Sequence, residues 1–161
     1  MRVCICFLLI LFIFPSYSNE SYYLEGSLCG FDDIVLSNVV LDNDKVVSFC
    51  GKKKGQEEDR LWVQYKYGTQ DNVEMMYPNT ESTDRNVIYY VDESGGSVNE
   101  ESVFFYVGNY RYTYKYITSN VLLTVDRKLQ DGKWESIFYQ KNLVTSLRVG
   151  LIGFLIGNTL K

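Results

Sequence analysis

Along most of the chain, short runs of alternating apolar and polar residues are separated by clusters of Gly, Asn and Asp. Runs of period two that are rich in Val, Ile, Tyr and Phe predict strands with one buried face, and the clusters predict tight turns. The run IVLSNVVL from Ile34 passes through Asp42, Asn43 and Asp44 into KVVSFC, which predicts a first hairpin. In LWVQYKYG, the residues Leu61, Val63, Tyr65 and Tyr67 alternate with Trp62, Gln64 and Lys66, so one side of that strand is apolar. DNVEMMYP, which ends at Pro78, and RNVIYYV predict two more strands. GKKKGQEEDR and the segment from Asp92 to Glu101 are charged and glycine-bearing, and they read as loops.

The stretch VFFYVGNYRYTYKYI, from Val103 to Ile117, places Gly108-Asn109 between two aromatic runs. A two-residue turn there fixes the register: Val107 faces Tyr110, Phe105 faces Tyr112 and Val103 faces Tyr114, with Tyr116 continuing the row. These seven residues share one face, and so many large side chains together predict a core. The opposite face carries Phe104, Tyr106, Arg111, Thr113 and Lys115, a mixture suited to contact with a partner or to a solvated surface with ring contacts. NVLLTVDRK and WESIFYQ, joined through Asp131-Gly132, complete a set of eight or nine strands. The expected fold is all-β, a single antiparallel β-barrel or two-layer β-sandwich. The apolar segment after Leu143, interrupted by Gly150, Gly153 and Gly157, reads as a short C-terminal helix or strand.

The first residues change the picture of where this domain works. Arg2 is followed by the apolar run VCICFLLILFIF, then Pro15 and Ser16-Tyr17-Ser18, the layout of a secretory signal peptide. The run is shorter than the roughly 20 residues that span a bilayer. The expected division is a leader over residues 1–18 and one exported β-domain over 19–161, periplasmic or secreted, with no membrane span after cleavage. The mature part keeps Cys29 and Cys50, and export to an oxidising compartment predicts a disulfide between them.

Charge and composition remove several classes of function. The chain has 16 Lys and Arg against 20 Asp and Glu; without Arg2 the balance becomes 15 against 20, or −5. An acidic chain with no basic block is a poor match for a nucleic-acid backbone. There is no histidine, which removes the usual general base and the commonest metal ligand. Asp42 to Asp44 lack the later Gly and Glu of a calcium loop and fit a turn better. No catalytic residue, metal or cofactor is expected, and the reading is a binding protein rather than an enzyme. The partner-facing candidates are the acidic residues Asp92, Glu93, Glu100 and Glu101, which could block a basic cleft, and the mixed face of Phe104, Tyr106, Arg111 and Lys115.

The order VSFCGKKK, LWVQYKYGTQDNVEMMYP, SVFFYVGNYRYTYKY and VLLTVDRKLQDGKWESI resembles a family of small exported, mostly uncharacterised β-rich proteins of enteric and related proteobacteria. The resemblance covers roughly Cys29 to Phe138 and implies export and a β-rich fold. The general plan, a small disulfide-bearing exported β-domain, is also similar to periplasmic lysozyme inhibitors, whose serine-glycine loop is matched loosely by ESGGS at Glu93 to Ser97. The function expected is therefore an inhibitor or immunity protein that occludes a cell-wall hydrolase or toxin. The rival is a structural or adhesion-type envelope module that binds glycan or its own copies through Phe104, Tyr106 and the apolar C-terminus, and self-association is compatible with either.

Overall fold

A computed structural model describes residues 26–54, 57–80, 88–118, 120–143 and 145–147. Residues 1–25 and the segment after residue 147 lie outside the described residues, and with them the expected leader and C-terminal helix. Ten strands are present among the described residues, in two five-stranded antiparallel sheets. The first sheet holds β1 (Ile34–Val40), β2 (Val46–Lys54), β3 (Glu57–Thr69) and β4 (Asn72–Tyr77), with β10 (Thr145–Leu147) beside β1. The second holds β5 (Tyr89–Asp92), β6 (Glu100–Val107), β7 (Tyr110–Ile117), β8 (Asn120–Lys128) and β9 (Trp134–Leu143), in that spatial order. The sheets are not closed on each other, so the fold is a two-layer sandwich rather than a barrel. No helix occurs among the described residues, and the start of the C-terminal segment is the edge strand β10.

The hairpins follow from their turns. Gly108 adopts a φ of +57° at the first central position of the β6–β7 turn, a conformation that costs glycine little, and the pairing runs Val107 to Tyr110, Phe105 to Tyr112 and Val103 to Tyr114. At the bulge between Tyr67 and Gly68, a Cβ on Gly68 would strike the carbonyl oxygen of Asn72, so the close return of β4 needs a glycine there. The charged stretch GKKKGQEEDR is not a loop: β2 runs to Lys54 and β3 starts at Glu57, with only Gly55 and Gln56 between them outside the described residues. Ladder hydrogen bonds are made by backbone groups, so once a hairpin register is set it continues through charged residues to the tight connection.

The core lies between the sheets. Leu36, Val39, Val47, Phe49, Val63 and Tyr65 from the first sheet meet Tyr90, Val103, Phe105, Tyr114, Val121 and Leu123 from the second. Phe49 and Tyr114 pack edge to face with centroids 5.2 Å apart, and the Tyr114 hydroxyl hydrogen-bonds Ser37 at 2.7 Å. Each fully buried aromatic of this kind is stabilising by about 2–3 kcal/mol. The tyrosine row is core in its middle, at Tyr114, half-buried at Tyr112 and Tyr116, and exposed at Tyr110 and Val107 where the hairpin runs past the opposite sheet. Tyr114 touches Ser37 of β1 and Phe49 of β2, whereas Tyr112 faces Tyr65 of β3. Strand β7 therefore crosses the strands of the first sheet instead of following them.

Candidate functional site

Cys29 and Cys50 form the expected disulfide, with Cα atoms 5.5 Å apart. It holds the segment Gly26–Asp33 over the outer face of the first sheet, and that cover explains a set of buried polar groups. Ser48 accepts a hydrogen bond from the Leu28 amide at 3.0 Å and donates to Asn38 Oδ1 at 2.7 Å. Lys66, only 9% exposed, donates to the Leu28 carbonyl at 2.9 Å, and Lys52 pairs with buried Asp33 at 2.8 Å. Gln64 donates to the Pro78 carbonyl at 2.9 Å. Burial, with the Lys52 charge nearby, holds the Lys66 ammonium below its usual pKa despite the favourable Asp33.

The outer face of the second sheet has no such cover among the described residues. Pairing of Tyr89 with Phe104, of Tyr106 with Arg111, of Arg111 with Asp126 and of Lys128 with Trp134 brings side chains from five strands to one surface. Tyr89 and Phe104 are stacked at 5.1 Å, Phe104 meets Tyr106 edge on at 5.9 Å, and Tyr106 lies 6.0 Å from Trp134. The Arg111 guanidinium sits 5.1 Å over the Trp134 ring while donating to Asp126 Oδ2 at 2.8 and 3.2 Å. Tyr106 and Trp134 remain 41% and 37% exposed, and Tyr139 of β9 is more exposed still. The result is a continuous aromatic strip whose rings and guanidinium are already held in place.

Of the sequence candidates, Phe104, Tyr106 and Arg111 are brought together in this strip. Lys115, on the same face, is occupied by acids: it pairs with Glu100 and lies 3.6 Å from Glu93. The hydrogen bond to Lys115 holds the Glu100 carboxyl below its usual range and raises the lysine. Glu101 lies on the inner face, next in the alternation to Val103 and Phe105, where burial raises its pKa; its Tyr90 neighbour is pushed up to about 12, chiefly by burial. Asp92 accepts from the Ser94 amide at 2.9 Å, and that bonding to Ser94 lowers its pKa.

The connection from Asp92 to Glu101 is a bonded arm rather than a loose acidic loop. Ser94 Oγ accepts from the Glu100 amide at 3.0 Å and donates to Asn99 Oδ1 at 2.8 Å, and Gly95 bridges Val98. Its four acids consequently split: Glu93 and Glu100 neutralise a lysine on the outer face, Asp92 caps a turn, and Glu101 turns inward.

No family model, curated protein or solved structure matches the chain. Sequence reasoning missed Tyr89, Asp126, Lys128 and Trp134 as members of the strip. Trp134 pairs with Lys128 across the connection Leu129–Lys133, whereas a two-residue turn at Asp131-Gly132 would pair it with Leu129 on the other face, so the alternation alone did not place it. Among the described residues no group of three or more metal-ligating side chains occurs, and no helix is long and apolar enough to cross a membrane.

Proposed function

We propose that the protein is an exported binding domain that seats a protein partner on the outer face of the second sheet, and that it acts as an inhibitor or immunity protein against a cell-wall hydrolase or toxin. The observation that carries this reading is the strip Phe104–Tyr106–Arg111–Trp134. Trp, Tyr and Arg are the residues that dominate binding energy at protein interfaces, and here they form one surface whose rings are ordered before any partner arrives. Pre-ordering lowers the entropy that binding must overcome.

Charge shapes the rim of that surface. Glu93 and Glu100 lie beside Lys115, and Arg111 and Lys128 flank Trp134. The mature chain is acidic as a whole, which favours approach to a basic partner and makes the association rate fall with salt. A partner cleft is then filled by the aromatic strip, while the arm from Asp92 to Glu101 supplies its margin. The absence of histidine from the sequence supports binding over catalysis.

A second reading has its own support. A row of rings such as Tyr89, Phe104, Tyr106 and Trp134 also offers flat apolar faces to a polysaccharide, as an envelope or adhesion module would need. Capture with immobilised disulfide-bonded protein from envelope and secreted extracts, at low and high salt, separates the two. Recovery of one hydrolase or toxin at low salt, with its activity inhibited at fixed stoichiometry, is the expected result. Recovery of polysaccharide alone, insensitive to salt, would overturn the inhibitor reading.

A further inference from the structure

Where β7 crosses the first sheet, the two layers do not close fully. A cavity of about 350 Å³ remains between β2, β3 and β4 on one side and β6 to β9 on the other. Its walls are built from aromatic rings, among them Tyr65, Phe105, Tyr112 and Phe138, with aliphatic groups such as Val47 and Val125 filling between them. Phe105 and Tyr112 are stacked at 5.1 Å with ring planes 2° apart, and Tyr65 tilts against Phe105 at 4.9 Å. Small cores rarely leave a void of this size, because its lining loses contact partners.

Two features select the occupant. The first is Tyr65, 7% exposed, which lines this cavity and carries a phenol hydroxyl. A phenol in such a wall is a hydrogen-bond donor for an acceptor placed in the cavity. Burial pushes its pKa up, so the proton stays on. The second is the rim, where Glu74 pairs with Lys45 at 2.8 Å while Lys45 lies 5.1 Å over the Tyr67 ring. This pair cancels its own charge and gives a charged ligand group no unpaired partner.

We propose that the cavity is a binding site for a small uncharged aromatic molecule of about two fused rings that carries one hydrogen-bond-accepting oxygen. Volume fits, since roughly 150 Å³ suffices for a benzene-sized guest and ligand pockets begin near 300 Å³. Ring walls favour offset and edge-on contacts with an aromatic guest over an aliphatic chain. Tyr65 supplies the single directional contact. The site lies between the sheets, away from the outer strip, so it stands whether or not that strip binds a protein.

The test is calorimetric titration of the disulfide-bonded protein with 1-naphthol, naphthalene and decanoic acid. 1-Naphthol is expected to saturate one site, with naphthalene and decanoic acid each binding at least several-fold more weakly. Tyr65→Phe should weaken 1-naphthol about fivefold to tenfold, the range a single net hydrogen bond provides, and leave naphthalene unchanged. Val125→Phe, which fills the cavity, should remove binding of both rings. Absence of saturable 1-naphthol binding, equal affinity in Tyr65→Phe, or tighter binding of decanoic acid would overturn the proposal. Should Val125→Phe fail to fold, the contrast between the two ring probes in Tyr65→Phe decides alone.

Discussion

The outer faces of the two sheets invert the usual expectation. On the first sheet the outer face is polar by sequence, with Asn38, Ser48, Gln64 and Lys66, and all four are buried. On the second it is aromatic, with Tyr106, Trp134 and Tyr139, and these are exposed. A covering segment tied down by a disulfide, with Pro78 beside it, accounts for the first face: Ser48 and Lys66 bond to Leu28, Gln64 bonds to Pro78 and Asn38 accepts from Ser48, which is what makes polar burial tolerable. Nothing among the described residues plays that part for the second. An ordered aromatic surface of this kind is what the proposed partner would cover.

The largest effect is expected from removing the cover's anchor. Replacing Cys29 and Cys50 together by Ser should cost about 3 kcal/mol of stability, read as a lower urea midpoint. No change would mean that the polar contacts hold the segment alone. Next in size is Trp134→Ala, which should weaken partner binding by about 2 kcal/mol, roughly thirtyfold, while thermal stability moves little. A large loss of stability with unchanged affinity would make the strip structural and erase the contrast.

Ser48→Ala sharpens the covered side. It removes the hydroxyl that accepts from the Leu28 amide and donates to Asn38 Oδ1, and an expected loss of about 1–2 kcal/mol should appear in chemical unfolding. The smallest effects are electrostatic and of opposite sign at neighbouring residues. Glu100 has a depressed pKa, so its contribution is present above the ordinary carboxylate range and is lost as pH falls through the folded value. Glu101 has a raised pKa, so its effect on stability becomes unfavourable as pH rises from the ordinary value through the folded one. Thermal melts from pH 3 to 7 should therefore show Glu100→Gln losing less stability on acidification than the wild type. Glu101→Gln should gain on the wild type as pH rises, and identical profiles for both variants would contradict these assignments.

Much of the fold was legible in the alternation. The hairpin register around Gly108-Asn109, the buried face of β3 and the Cys29–Cys50 link all follow from period-two patterning, a turn pair and a redox argument. What the pattern could not show is which sheet faces which. Alternation puts Gln64 and Lys66 opposite the apolar side of β3 and reports polarity alone; their burial comes from the return of Gly26–Asp33 and Pro78 over them. The charged GKKKGQEEDR stretch read as a loop for a related reason: composition describes side chains, whereas a ladder is held by the backbone. At the candidate site, Phe104, Tyr106 and Arg111 could be grouped from one hairpin, but Tyr89 and Trp134 join them only through pairing with strands distant in sequence. The four acids of the Asp92–Glu101 arm looked alike in sequence and part company once Lys115 and Tyr90 are in place.

The cover on the first sheet has a consequence for how the molecule behaves when its thiols are reduced. Most covers conceal grease, so that lifting them invites aggregation; this one conceals amides, a hydroxyl and an ammonium that water can solvate equally well. Reduction should then release residues 26–33 as a hinged flap while the sandwich beneath keeps its core. In deuterium-labelling terms, the Leu28 and Gly30 amides would exchange quickly after reduction and the β2–β3 ladder amides slowly, a local opening rather than a collapse.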